Sequence, residues 1–451
     1  MSFLKSTKFL STVAAAIVLA VSAPAQTEPA APKKELSETV QQAVQNLLKL
    51  QESPDSSEQL LAEIDKLLAT AAPNSFDTAI LSQMKVQALL AKQDLVAAIA
   101  PLETAIRLSE AYDFFGENGN LQLLWILAQL HAQDAGQDKD SKSQQAKYGK
   151  AYTALKRWFD KTPKSNPEAQ LFAAGILYSR ALEDAQKVDM AIMKQAQMEA
   201  EKGLAMAIKP KEPLYMMLVA ILQQQGDFPK SAEYLELLVR DYPGNMTYWQ
   251  QLLNAYLVQE EKGYLRAIVT LERAQQRELL TEKKDNFTLV GLHANLKQYA
   301  QSADLLEAGL RNGKIEPEQK NWELLAQSYQ QTRKDQKAIA TLKEASKLFP
   351  KEGSLEQQIG YVYYQNDKFE DAFGYLKIAI AKGVSKPAQT HIFIAYLGLE
   401  LKKLEEAKQS AEKAIELEPA SKEAKRLLDA VNEAIAEREA QMKSAPATQK
   451  T

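Results

Sequence analysis

A small residue returns along the second half of this chain at an almost fixed interval. Ser231, Ala267, Ser302, Ala338, Ala372 and Ala407 are separated by 36, 35, 36, 34 and 35 residues. Each sits in a stretch that opens with a turn and continues with apolar residues near i, i+3, i+4 and i+7; in 226–243 (GDFPKSAEYLELLVRDYP) it stops at a proline. Such spacing gives a helix one apolar stripe. A period near 35 residues has room for two antiparallel helices and their turns, and one such pair cannot cover its own stripe. The pairs therefore have to stack. This periodicity constrains the chain more than any composition figure, because it excludes a sheet-based core over that region.

The other half of each period carries a matching pattern. Trp249-x-x-Leu252-Leu253-x-x-Tyr256 and Trp322-x-x-Leu325-Ala326-x-x-Tyr329 repeat one motif, and Ile359-Gly360-x-x-Tyr363 continues it without the tryptophan. Pro243, Pro350 and Pro419 close units at one phase. Small residues such as Ala338, Ala345, Ala372 and Ala379 let helix axes approach to about 8–10 Å, with Leu342 and Leu376 filling the space beside them. On these residues the chain resembles the tetratricopeptide repeat (TPR) family over 211–421. The resemblance implies an all-α, right-handed α-solenoid of stacked helix-turn-helix repeats, with six units at 212–245, 246–281, 283–316, 319–352, 353–386 and 388–421. Two departures stand out. The 246–281 unit is longer by two residues around Glu260 and Gly263, which suggests a stretched turn, and His293 and Gly398 replace the tyrosine.

Upstream, 35–210 is helical in pattern but less regular. Leu171-x-x-Ala174-Gly175-x-x-Tyr178 matches a first helix; Ala151, Leu155, Trp158 and Pro163 match a second. Four irregular pairs are expected at 35–71, 75–108, 119–163 and 167–210, with the connections at 133–147 and 182–190 longer than a TPR turn. A charged amphipathic helix at 422–443 has no partner after it, as a solubilising cap requires, and 444–451 reads as a tail. At the other end, Lys5 and Lys8 precede the apolar run 13–21 (VAAAIVLAV) and Ala23-Pro-Ala25. That is the pattern of a cleavable signal peptide over 1–25, followed by a flexible linker at 26–34. The run is too short for a membrane span, so a periplasmic chain without stable membrane insertion is expected.

Composition removes several chemistries. The formal charge is −3 and no cysteine is present, so neither a phosphate-neutralising surface nor thiolate metal sites, disulfides or cysteine nucleophiles are expected. Nucleic acid is not an expected partner. There is no phosphate-cradling glycine loop, HExxH or Gly-x-Ser-x-Gly elbow, and His131, His293 and His391 fall in different repeats. No catalytic site, metal or cofactor is expected. Met190, Met193, Met198, Met206, Met216 and Met217 form a cluster in sequence that suits irregular helix packing and raises the alternative of a copper carrier. Asp134, Asp138 and Asp140 lack the glycine and terminal glutamate of a calcium loop and read as a solvated connection.

In the family, first helices line a concave groove that holds extended peptides or partner helices. The resemblance therefore places a groove at Met216, Ala220, Gln250, Asn254, Phe287, Gly291, Glu323, Gln327, Gln357, Tyr361, Tyr364, Ile392 and Tyr396. The set is amides and aromatics, with only Lys284 and Lys320 near the positions a carboxylate clamp would use. Such a surface suits a neutral protein or peptide segment, with Tyr361 and Tyr364 as the expected anchors. The whole layout is also similar to periplasmic TPR proteins encoded beside TonB–ExbB–ExbD systems, a likeness carried by 214–383. It implies an accessory scaffold in envelope transport; a cell-wall or polysaccharide-assembly adaptor is the alternative.

Overall fold

In the computed structural model, residues 32–52, 56–184, 187–351 and 353–444 are described. The stretch 1–25 expected to be a signal peptide, most of the expected 26–34 linker and 445–451 lie outside them. The chain divides into two compact units, one ending at Asp241 and one beginning at Tyr242, so the division falls inside the expected 211–421 array.

The first unit consists of five helical hairpins: α1 (Glu38–Glu52) with α2 (Ser57–Thr70), α3 (Phe76–Ala91) with α4 (Leu95–Tyr112), α5 (Gly116–Gln137) with α6 (Ser141–Lys161), α7 (Pro167–Ala181) with α8 (Met190–Met206), and α9 (Glu212–Gln224) with α10 (Phe228–Asp241). Two short antiparallel strands, β1 (Leu182–Asp184) and β2 (Lys187–Val188), fill the long connection between α7 and α8. The second unit has five more: α11 (Met246–Leu257) with α12 (Glu261–Gln275), α13 (Lys283–Asn295) with α14 (Tyr299–Arg311), α15 (Gln319–Gln331) with α16 (Asp335–Leu348), α17 (Ser354–Gln365) with α18 (Phe369–Lys382), and α19 (Pro387–Glu400) with α20 (Leu404–Leu417). It ends in α21 (Lys422–Ser444). Within each unit every hairpin packs on the next. The architecture is an all-α repeat array.

The recurring small residue is where the hairpins close. Ser231, Ala267, Ser302, Ala338, Ala372 and Ala407 are all fully buried. Five of the six are the fourth residue of their helix, and Ala98 occupies the same place in α4. The Ser302 hydroxyl donates to the Val290 carbonyl at 3.2 Å, tying α14 to α13. A Cβ added at Gly398 would come within 2.9 Å of the Ala407 Cβ, so glycine replaces the tyrosine there because the two helices touch.

The turns repeat as well. In α3/α4, α9/α10, α13/α14, α15/α16, α17/α18 and α19/α20 three residues join the helices, and the middle one is left-handed: Gln93, Gly226, Lys297, Arg333, Asp367 and Lys402. The next residue's N–H reaches back to the last helical turn, as in Lys334 to Tyr329 at 2.8 Å and Lys403 to Gly398 at 2.7 Å. This is the Schellman closure, in which a left-handed residue lets the chain satisfy helix-end carbonyls while reversing direction. Pro243, Pro350 and Pro419 each lie two residues beyond a second helix, where a further helical turn is blocked.

Two expectations are corrected. The extra residues of the 246–281 unit do not stretch its turn, which is again three residues long. They lengthen α12 at its start, so Ala267 is its seventh residue rather than its fourth. Gly263 permits this, since a Cβ there would lie 1.9 Å from the Tyr256 carbonyl oxygen. Likewise 133–147 is not a long loop: α5 runs to Gln137 and α6 starts at Ser141. Asp140 caps α6 by accepting from the Ser143 N–H at 2.7 Å, and Lys147 bridges Asp134 and Asp138, both at 2.8 Å. The polar composition belongs to helix faces and caps.

Ala372→Leu places a large side chain in a fully buried crossing, and overpacking of this kind costs about 1–3 kcal/mol. Repeats couple mainly to their neighbours, so amide exchange should accelerate in α17, α18 and the hairpins beside them while the unit ending at Asp241 keeps its protection. Uniform acceleration along the chain would contradict a repeat array.

Candidate functional site

Two first helices, α17 and α19, carry a cluster of four aromatic side chains, two of them exposed. On α17, Gln357, Tyr361 and Tyr364 are spaced i, i+4 and i+7, which puts them on one stripe. On α19, Phe393 and Tyr396 are one turn apart. Tyr361 and Phe393 have ring centroids 5.4 Å apart. Tyr364 meets Phe393 edge-on at 4.8 Å and Phe369 at 5.6 Å. Phe393 and Tyr396 lie nearly parallel at 6.2 Å, and Tyr364 and Tyr396 are 6.3 Å apart. Phe393 is thus the shared neighbour of three tyrosines, and such ring pairs stabilise by about 0.5–1.5 kcal/mol beyond area burial.

The expected anchors differ in exposure. Tyr361 and Tyr396 are 37% and 36% exposed. Tyr364 is half-buried between Phe369 and Phe393 and contributes packing instead. The exposed pair is therefore Tyr361 with Tyr396, on a floor made by Phe393, a residue the reading of the sequence did not select. Burial pushes the Tyr361 phenol up, opposed by a hydrogen bond with Gln357. A hydrogen bond with Tyr364, then burial, raises Tyr396.

Two amides, Gln357 and Gln319, hold neighbouring first helices together. Gln357 donates to the Thr390 hydroxyl at 2.6 Å, joining α17 to α19. Gln319 donates to Ser354 at 2.9 Å, joining α15 to α17, and to Glu323 at 2.8 Å. Asn254 and Gln327 are exposed, and Gln250 and Glu323 are half-buried. Phe287 packs against the buried cluster that includes Trp322 and Leu325, so it is spent on the core. Met216 is half-buried on α9, in the other unit. Lys284 and Lys320 already pair with Glu282 and Glu318 at 2.8 and 2.7 Å. The face they edge is therefore poor in available cations.

Behind this face, α17 is anchored by a buried charge. The Glu356 carboxylate meets the Lys382 ammonium at 2.5 Å and accepts from the Ser346 hydroxyl. This ties α17 to α16 and α18. A Cβ at Gly353 would collide with the Ala379 carbonyl oxygen at 2.3 Å, so the start of α17 lies directly on α18. The stripe is carried by a held helix.

The methionine cluster does not converge. Met193 and Met217 are in the core of α7–α9, whereas Met190, Met198 and Met206 are exposed along α8. The exposed three are eight residues apart, about 12 Å along a helix, too far to share one metal ion. Among the described residues no group of three or more His, Cys, Asp or Glu is placed to hold a metal, and no helix is long and apolar enough to cross a membrane.

A family model described as tetratricopeptide repeat matches residues 320–352 and 388–421. These are the hairpins α15/α16 and α19/α20. Those two hairpins match the tetratricopeptide repeat. Between the matched segments, α17/α18 has the same three-residue turn and the same buried alanine. Among solved structures, the chain is similar to MamA from residue 41 onward from Desulfovibrio magneticus RS-1, at 19% identity over 39% of this chain and 97% of that one, with a TM-score of 0.29. A tetratricopeptide repeat protein from Parabacteroides merdae is 14% identical over 57% of this chain and 98% of its own, with a TM-score of 0.28. The Cut9–Hcn1 hetero-tetramer of APC/C is 13% identical over 87% of this chain and 94% of its own, with a TM-score of 0.28. No curated protein matches the chain.

Phe393→Ala removes the ring that three tyrosines share and should lower stability by about 2–3 kcal/mol, below the range for a fully buried phenylalanine. Tyr361→Ala, at the surface, should cost under about 1 kcal/mol. Urea melts of the two variants distinguish them, and equal losses would remove Phe393 from its central place.

Proposed function

We propose that the protein is a non-enzymatic scaffold that holds a neutral protein segment on the aromatic face of α17 and α19. We further propose that it works in the periplasm as an accessory of a TonB-type envelope transport system. Tetratricopeptide repeats bind protein partners, which supports the first part. The carrying observation is the pair of exposed tyrosines on a common phenylalanine, beside Gln357, whose amide is already used between α17 and α19. Tyrosine offers large contact area at small entropy cost. A partner seated there meets rings and hydroxyls, with little charge.

The location rests on the pattern of Lys5, Lys8, the apolar run 13–21 and Ala23-Pro-Ala25. The TonB association rests on the likeness over 214–383. Both are tested by one capture experiment from envelope extracts of a Gram-negative host. The tagged wild-type chain should retain TonB-system proteins, and a Tyr361→Ala/Tyr396→Ala variant that melts normally should lose them. Retention of other envelope proteins alone would leave the scaffold and reject the association. Once a partner is in hand, each tyrosine truncation should weaken binding by about 2 kcal/mol, roughly 30-fold. The affinity should change little between low and high salt, because few charges take part. A steep salt dependence would move the site off this face.

A further inference from the structure

We propose that the first unit contains a second binding site, a cavity of about 430 Å³ between α4, α5, α6 and α7 that takes a small organic ligand through a carboxylate or phosphate group. It is independent of the aromatic face. The cavity is more open than enclosed, so a ligand there keeps part of its surface in water.

The cavity follows from the sequence of α6. Ala146, Gly149, Lys150, Thr153, Ala154 and Arg157 all line it, and their spacing of three and four residues puts them on one helix face. The small members leave room and the long ones supply charge. Arg180 reaches in from α7, its guanidinium carbon 3.9 Å from where a Cβ on Gly149 would stand. That separation is ordinary contact, so the guanidinium lies over the α6 backbone. Leu127 of α5 gives the cavity an apolar side.

The charges in the cavity do not cancel. Arg157 shares Glu110 with Lys161, whose ammonium lies 2.9 Å from that carboxylate, so two cations face one anion. Lys150 and Arg180 have no ion pair among the described side chains. Against these cations stands Glu103, which is 3.6 Å from the buried His131. Burial holds His131 below its usual range, so the imidazole is neutral at pH 7. A chain whose formal charge is −3 thus concentrates positive charge in a recess. An oxyanion completes it: a guanidinium binds carboxylate or phosphate through two parallel N–H donors, and Lys150 adds a point charge.

The test uses the full chain with inorganic phosphate and with succinate, each compared with chloride at equal ionic strength. Isothermal titration should show one saturable site for at least one of the two, and thermal melts should rise with the same ligand. Saturation by succinate alone identifies a carboxylate ligand; saturation by phosphate alone identifies a phosphate. Lys150→Gln changes an exposed residue and should leave the unliganded melting temperature unchanged while weakening binding about tenfold. Arg180→Gln should weaken it at least as much. No saturable binding of either anion, or affinity untouched by both substitutions, overturns the proposal.

Discussion

The array depends on how closely two helices of one hairpin approach. At Ser231, Ala267, Ser302, Ala338, Ala372 and Ala407 the side chain is fully enclosed, and nothing longer fits without displacing the partner helix. Close approach fixes the pitch of the hairpin. The three-residue turn with a left-handed middle residue then fixes its reversal, because the last carbonyls of the first helix have to be met by the returning N–H groups. Together these set a unit of about 35 residues whose remaining apolar face must be covered by the next unit. The left-handed positions are filled mostly by Gln, Lys, Arg and Asp rather than glycine. That costs some backbone strain, which the hydrogen bonds across each turn offset.

Because hairpins are held one by one, a single pair of first helices is free to specialise. On α17 and α19 the side chains facing each other include four rings beside the Gln357–Thr390 bond, whereas α15 and α17 are joined by Gln319 and Ser354. The buried Glu356–Lys382 pair holds α17 to α18 from behind. Rings fixed in this way present their exposed edges without needing to be ordered when a partner arrives, which reduces the entropy lost on binding.

Much of the fold was legible because a helix crossing demands a small residue and the demand recurs. The six positions are visible in sequence for the same reason that they are buried. Residue spacing did not reveal where extra residues go: in the 246–281 unit they became helix because Gly263 tolerates the Tyr256 carbonyl. Polarity misled at 133–147, where acidic and basic residues serve as caps and bridges at the junction of two long helices. For the candidate face, the sequence shows the stripe but not the exposure of each member. Gln357, Tyr361 and Tyr364 share a stripe that period alone reveals, but the half-burial of Tyr364 against Phe369 and Phe393 does not follow from it. Phe393 was missed because α19 (PAQTHIFIAYLGLE) is apolar on nearly every side, so periodicity does not choose its exposed face.

The central claim is that a partner sits on the first-helix face of α17 and α19. The most direct measurement is site-specific photo-crosslinking with a benzoylphenylalanine placed at Tyr361, at Tyr396 and, as a contrast, at Leu265, an exposed residue on a second helix. The account predicts a common protein adduct from positions 361 and 396 and none from 265. An adduct from 265 with none from the two tyrosine positions would contradict it.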